Sequence, residues 1–186
     1  MLLSVLFVLT AFTVISTTWK SDPPNSQLSF TVKHIGINKI SGNFTDFNVT
    51  VESSKPDFSD AVITMKAKTA SINTFVEARD NHLRSADFFD AAKYPEITFT
   101  STSIKPKDKN EYKITGNLTM HGITKVVTLE MEYKGTVKDP MSKRTIAGIT
   151  IEGDLKRSDF NIGSKFTDNI ISDKVEIKGH GEFIQQ

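Results

Sequence analysis

Apolar and polar residues alternate with a period of two along most of this chain, the pattern of strands with one buried and one solvated face. Leu28, Phe30 and Val32 share a face, with Ser29, Thr31 and Lys33 opposite. Phe44 is followed by Phe47, Val49 and Val51, and the change of phase between 44 and 47 predicts a bulge or bend. Ala61, Ile63, Met65 and Ala67 form the third alternating run, and Ile97 with Phe99 opens the fourth. Further runs follow at Tyr112 to Leu118, Val127 to Tyr133, Ala147 to Leu155 and Val175 to Phe183, making about eight strands. Their connections are short and rich in turn residues, as at Lys105 to Asn110, His121-Gly122 and Lys138-Asp139-Pro140, so consecutive strands are expected to be antiparallel neighbours.

One interval breaks the rhythm. From Thr74 to Pro95 the alternation stops, and Glu77 to Phe89 contains neither Gly nor Pro, which predicts one or two helical turns between strands three and four. The interval crowds Arg79, Asp80, His82, Arg84, Asp87 and Asp90 around the adjacent Phe88 and Phe89. A dense polar and aromatic insertion between strands suits the cap of a cavity. Eight antiparallel strands close equally well as a sandwich or as a barrel, and only the barrel leaves room for one small ligand. Phenylalanine, at 13 residues against one Trp and three Tyr, supplies smooth apolar wall for either.

Composition narrows the class. With 186 residues, 38% of them hydrophobic, the chain fits one domain with a substantial core. Its 23 basic and 22 acidic residues are mixed throughout, so no basic stripe awaits a phosphate backbone and nucleic acid is not expected as a partner. Residues 1–15 are almost wholly apolar, too short for a membrane span and suited to the core of a signal peptide. Residues 1–17 are therefore read as a signal peptide and 18–186 as the folded domain, with a periplasmic or secreted location. Cysteine is absent, which excludes thiol catalysis, thiolate metal sites and a lipidated cysteine.

Four segments carry a family resemblance. Ser26 to His34 with Ile40 to Phe44, Arg79 to Phe99, Gly116 to Lys125, and Lys156 to Gly163 resemble, in order, the signature elements of the YceI family. The chain has Asn25-Ser26 where that family often has His-Ser, so no role rests on a histidine there. The resemblance implies an all-β, lipocalin-like antiparallel barrel that binds a long isoprenoid or related amphipathic lipid in its interior, without catalysis, metal or cofactor. It leaves room for a transient membrane contact and for a homodimer across an imperfectly closed barrel edge.

The residues nominated for ligand contact are Phe30, His34, Phe44, Phe47, Ile63, Arg79, His82, Leu83, Phe88, Phe89, Phe99 and Phe160. Among these, Arg79, His82 and His34 are the candidates for a polar headgroup, because Arg and His donate to carbonyl or phosphate oxygens. An equal alternative has Arg79 or Arg84 pairing with Asp80, Asp87 or Asp159 to pin the insertion down. His121 reads as a turn residue and His180 as an outward strand position. A three-histidine metal site lacks compact spacing. A hydrolytic enzyme working from the Arg79–His82 segment lacks a nucleophile elbow or phosphate loop. The third alternative is a ligand-free structural protein with a filled interior.

Overall fold

A computed structural model describes residues 16–186; the apolar residues 1–15 lie outside the described part. Ten strands follow in order: β1 (Thr17–His34), β2 (Asn38–Phe44), β3 (Phe47–Ser53), β4 (Val62–Lys68), β5 (Ile72–Asn73), β6 (Glu96–Asp108), β7 (Glu111–Met120), β8 (Ile123–Lys138), β9 (Thr145–Lys156) and β10 (Ile171–Gln185). One helix, α1 (Glu77–Arg84), lies between β5 and β6, and short 3-10 turns occupy Thr69–Ser71 and Arg157–Phe160. All pairings are antiparallel, and β1 pairs with β10 to close the sheet into a barrel. The expected open edge, offered as a dimer contact, is thereby paired along most of β1.

Ten strands make eight staves because two staves are broken. β1 pairs with β3 through Thr17 to Lys20 and with β2 through Leu28 to His34, so β2 and β3 are two halves of one stave. The break falls at the phase change between Phe44 and Phe47. β4 and β5 form the second broken stave, since β4 pairs with β3 and β5 with β2. The helix sits where the alternation stops, and its eight residues, Glu77–Arg84, make the two turns expected within Glu77 to Phe89.

β1 is much longer than its periodicity predicts. Between the pairs Ser21↔Phe183 and Ser26↔Gly181, β1 spends five steps in the chain against two on β10. Pro23 and Pro24 fall inside this bulge, where a residue without an N–H costs the ladder nothing. The prolines disguise a strand that starts at Thr17, where Thr17 pairs with Ser53 and Thr18 with Glu52.

The barrel is unequally filled. At the end holding Thr17 and Gln186, Trp19 packs on Phe58 with ring centroids 5.3 Å apart, and Phe58 on Tyr133 at 4.9 Å. Phe58 is 1% exposed although its φ is 60°, a region that costs a non-glycine residue about 1–2 kcal/mol. Burying the ring contributes about 1.5–3 kcal/mol and each aromatic contact adds about 0.5–1.5, so the plug is a net gain. Tyr112 reinforces it by donating its hydroxyl hydrogen to the Asp57 carbonyl at 2.6 Å.

The Phe58 loop is tied back by Asp60. Its carboxylate accepts from Ser53 Oγ at 2.5 Å, from the Ser54 hydroxyl, and from the Ser54 and Lys55 amides. Partial burial acts to raise the Asp60 pKa, but these donors outweigh it and hold the group at about 2, against an ordinary 3.8. A depressed folded-state pKa stabilises above the unfolded value and is lost as pH falls through the folded one. Asp60→Asn is therefore expected to lower the unfolding free energy at pH 7 by about 1–2 kcal/mol, after discounting for partial exposure. The gap from the wild type should narrow below pH 4 and close near pH 2 in urea titrations.

Candidate ligand cavity

The opposite end of the barrel holds a cavity of about 370 Å³ with almost entirely apolar walls. Pleating makes this so, because alternate residues of each stave point inward. β1 supplies Leu28, Phe30, Val32 and His34, and β10 beside it supplies Ile171, Val175 and Ile177. Ile97, Leu118 and Leu155 come from β6, β7 and β9, and Ile40 and Phe44 from β2. Gly42 lets Phe30 lie flat against the wall: a Cβ there would fall 2.6 Å from Phe30 Cζ and 2.7 Å from Thr74 Cγ2.

The roof is the insertion. α1 presents Arg79, His82 and Leu83 to the cavity, and the following turn presents both Phe88 and Phe89. Phe88 stacks on Phe166 with centroids 5.0 Å apart and planes 19° from parallel, while His82 stands edge-on to Phe88 at 5.0 Å. Gly163, at φ 59°, leaves the space that Phe88 occupies, since a Cβ there would lie 2.7 Å from its Cε1. Phe89 meets Phe44 edge-on at 5.9 Å. The adjacent phenylalanines thus both line the cavity and differ in their partners.

The charges of the insertion are largely spent on holding the roof in place. Asp80, 6% exposed, accepts from the Thr74 amide at 2.8 Å and from the Thr74 hydroxyl at 2.5 Å. Arg79 donates from Nε to Thr74 Oγ1 at 2.7 Å and from Nη2 to the Thr74 carbonyl at 2.8 Å. Arg84 donates to the carbonyls of Ala70 and Ile72 and so pins α1 to the β4–β5 stave. The pinning expected from the sequence is present, but through carbonyls and Thr74 instead of Asp80, Asp87 or Asp159. Asp87 pairs with Lys165 at 2.5 Å and with His82 at 3.5 Å. Its pKa is lowered by the Lys165 bond first and the His82 contact second.

A second anchor was not nominated from the sequence. Arg157, 8% exposed, directs every guanidinium N–H to a backbone carbonyl: Nε to Ser172, Nη1 to Ile162 and Gly163, and Nη2 to Phe166 and Ile171, at 2.6–3.3 Å. This one side chain folds the β9–β10 connection over the cavity and carries Ile162, Phe166 and Ile170 into its lining. Ser158 donates its amide and hydroxyl to Asp173, both at 2.9 Å, and closes the base of the same loop.

Eight of the twelve nominated residues converge here: Phe30, His34, Phe44, Arg79, His82, Leu83, Phe88 and Phe89. Four do not line the cavity. Ile63 and Phe99 belong to the filled half, 1% and 5% exposed, with the Phe99 ring lying over Gly116. Phe47 is half-buried opposite Ala67 and packs on the core. Phe160 is 1% exposed in a 3-10 turn, and its carbonyl accepts the Nδ1 hydrogen of His121 at 3.0 Å. That bond gives His121 more than a turn role: at φ 51°, before Gly122 at 72°, it forms the β7–β8 turn and also ties it to the roof. His180 is exposed on β10, and no group of three potential metal ligands occurs among the described residues.

Comparisons agree with the fold. The model of the YceI-like domain matches residues 19–183, and the chain belongs to that family. It is 38% identical over 146 residues to UPF0312 protein SAS2572 of Staphylococcus aureus (strain MSSA476), covering 78% of this chain and 82% of the relative. The crystal structure of the Campylobacter jejuni YCEI protein superposes with a TM-score of 0.75 at 32% identity, over 83% of this chain and 90% of that one. Burkholderia cenocepacia BcnA gives 0.78 at 26% identity, over 89% and 99%. A polyisoprenoid binding domain from Saccharophagus degradans shares the fold, with a TM-score of 0.66 at 15% identity over 91% and 98%.

The Arg157 anchor yields a direct test. Lysine keeps the charge but offers three donors on a single nitrogen in place of a planar fork. Arg157→Lys is expected to lower the unfolding free energy by about 2–4 kcal/mol, reflecting stranded carbonyls and weakened charged hydrogen bonds. Hydrogen exchange should show the loss of protection concentrated in residues 157–172.

Proposed function

We propose that this chain is an exported, non-catalytic binding protein that takes the hydrocarbon part of an isoprenoid or related amphipathic lipid into the barrel. The half-empty interior carries the reading. Eleven of the thirteen phenylalanines fall within residues 16–186 and could have filled the barrel, yet the filling stops halfway and leaves an apolar chamber of about 370 Å³ under a built roof. Dedicated ligand pockets are concave, mostly apolar and furnished with a few polar groups, and fall in the same size range. At roughly 30 Å³ per water-sized group, the chamber holds about a dozen carbon atoms, or two to three prenyl units. A longer chain extends through the mouth. Removing that hydrocarbon from water at about 0.8 kcal/mol per methylene supplies the affinity without polar contacts.

Headgroup recognition falls to His34 and Arg79. Both line the cavity, the His34 ring has no hydrogen-bond partner among the described residues, and Arg79 keeps Nη1 uncommitted there. His82, held by Asp87, Phe88 and Phe166, serves the roof instead. The residues a hydrolase would need are committed to structural bonds, which favours binding over turnover. The polyisoprenoid binding named for the Saccharophagus degradans domain is consistent with this ligand class at the level of the fold.

Organic extracts of purified protein should contain lipid in near one-to-one amount by mass spectrometry. Val32→Trp, which fills the chamber from β1, should retain the far-ultraviolet circular dichroism of the wild type and lose at least ten-fold in lipid occupancy. Extracts empty of lipid from both proteins would refute the reading. For export, intact mass of the protein from the cell-envelope or culture fraction should correspond to a chain starting at or just before Thr17.

A further inference from the structure

Five of the nine exposed large apolar side chains among the described residues lie on segments that run on from, or include, cavity-lining residues. Ile37 is 85% exposed and Ile35 52% at the tip of the β1–β2 hairpin, directly after the lining residue His34. Ile170, which itself lines the cavity, is 45% exposed and passes its carbonyl to the Ile35 amide at 2.9 Å. On the α1 side, Phe75 at 81% and Val76 at 47% follow the lining residue Thr74. Two of these five occupy backbone that bulky residues resist. Ile35 has φ 43° and Phe75 φ 64°. Ile35 and Gly36, at φ 74°, are the central pair of a tight turn closed by the Ile37 amide on the His34 carbonyl, where Asn, Asp or Gly is the usual choice. Both folding stability and solubility would favour asparagine at these sites, and the chain carries isoleucine and phenylalanine instead.

We infer that this apolar lip docks the barrel, mouth first, on the surface of a lipid bilayer. The inference rests on the lipid reading of the cavity, and the physics of loading selects the occupant. A lipid entering through water would expose its chain, and each exposed methylene slows the step about fourfold. Contact between the mouth and a bilayer removes that barrier. Charges beside the lip balance in sign: Lys39 pairs with Glu176 at 2.9 Å and Lys165 with Asp87 at 2.5 Å, and the exposed Lys33 is offset by the exposed Glu77. Docking is therefore apolar insertion with little dependence on anionic lipid or salt.

The test uses the full-length mature protein and sedimentation with phosphatidylcholine vesicles, with and without phosphatidylglycerol. The wild type should associate with both to within about twofold and take up lipid from them. Ile35→Asn with Phe75→Asn should melt no lower than the wild type and keep its co-purified lipid, yet lose at least tenfold in vesicle association and in uptake rate. Ile37→Ser, at ordinary backbone geometry, should move association in the same direction. The inference is overturned by a wild type that ignores vesicles or by variants that associate as the wild type does. It is equally overturned if sedimentation shows a dimer that these variants split, since the lip then belongs to a second copy. Vesicle association by a protein whose extracts are empty would keep the docking face and refute the cavity reading alone.

Discussion

A closed barrel of eight staves encloses a volume that one layer of inward side chains just fills, provided large residues meet across it. In this chain they meet at one end only. Trp19, Phe58 and Tyr133 span the interior beside the start of β1 and the end of β10, and the loop that delivers Phe58 tolerates a left-handed backbone to do so. Above them the inward residues of β1 and β10 are Leu, Val and Ile, and the rings of Phe30 and Phe44 stay at the wall. The chamber therefore exists because of where the aromatic residues are placed, and the packed half gives it a rigid floor.

A chamber of this kind needs a roof, and a roof made of loops needs its polar groups satisfied. The solution here is to spend cationic side chains on carbonyls. Arg157 gathers five of them, Arg84 two, and Arg79 one together with a threonine hydroxyl. Hydrogen bonds to charged groups contribute about 1.5–3 kcal/mol each, enough to hold short irregular segments that bury little apolar surface of their own. Aromatic packing of Phe88 on Phe166 then joins the two loops across the gap.

Much of this is legible in the sequence. Period-two alternation gave the strands, the phase change at Phe44 to Phe47 marked a broken stave, and the interruption at Thr74 to Pro95 marked the roof. What stayed hidden has physical causes. Alternation says which face a residue takes but not how far along the barrel it sits, so Ile63 and Phe99, inward but on the filled side, were indistinguishable from Phe30 and Phe44. Pro23-Pro24 masked the first half of β1 because a bulge, invisible to periodicity, accommodates them. Arg157 could not be found from pattern, since its role depends on five carbonyls of a loop with no regular repeat.

The pairing of β1 with β10 also governs when the fold can form. Trp19 lies opposite Gln185, and the Gln186 amide donates to the Thr18 carbonyl at 2.9 Å, so the first strand and the last residue of the chain complete the same seam. Contacts this distant in sequence slow folding, because the loop-closure entropy falls due before the pairing rewards it. During synthesis the two sides of the seam are separated by almost the whole length of the polypeptide. A chain that lacks β10 cannot seal the barrel, and that side of β1 stays unpaired until β10 has been made.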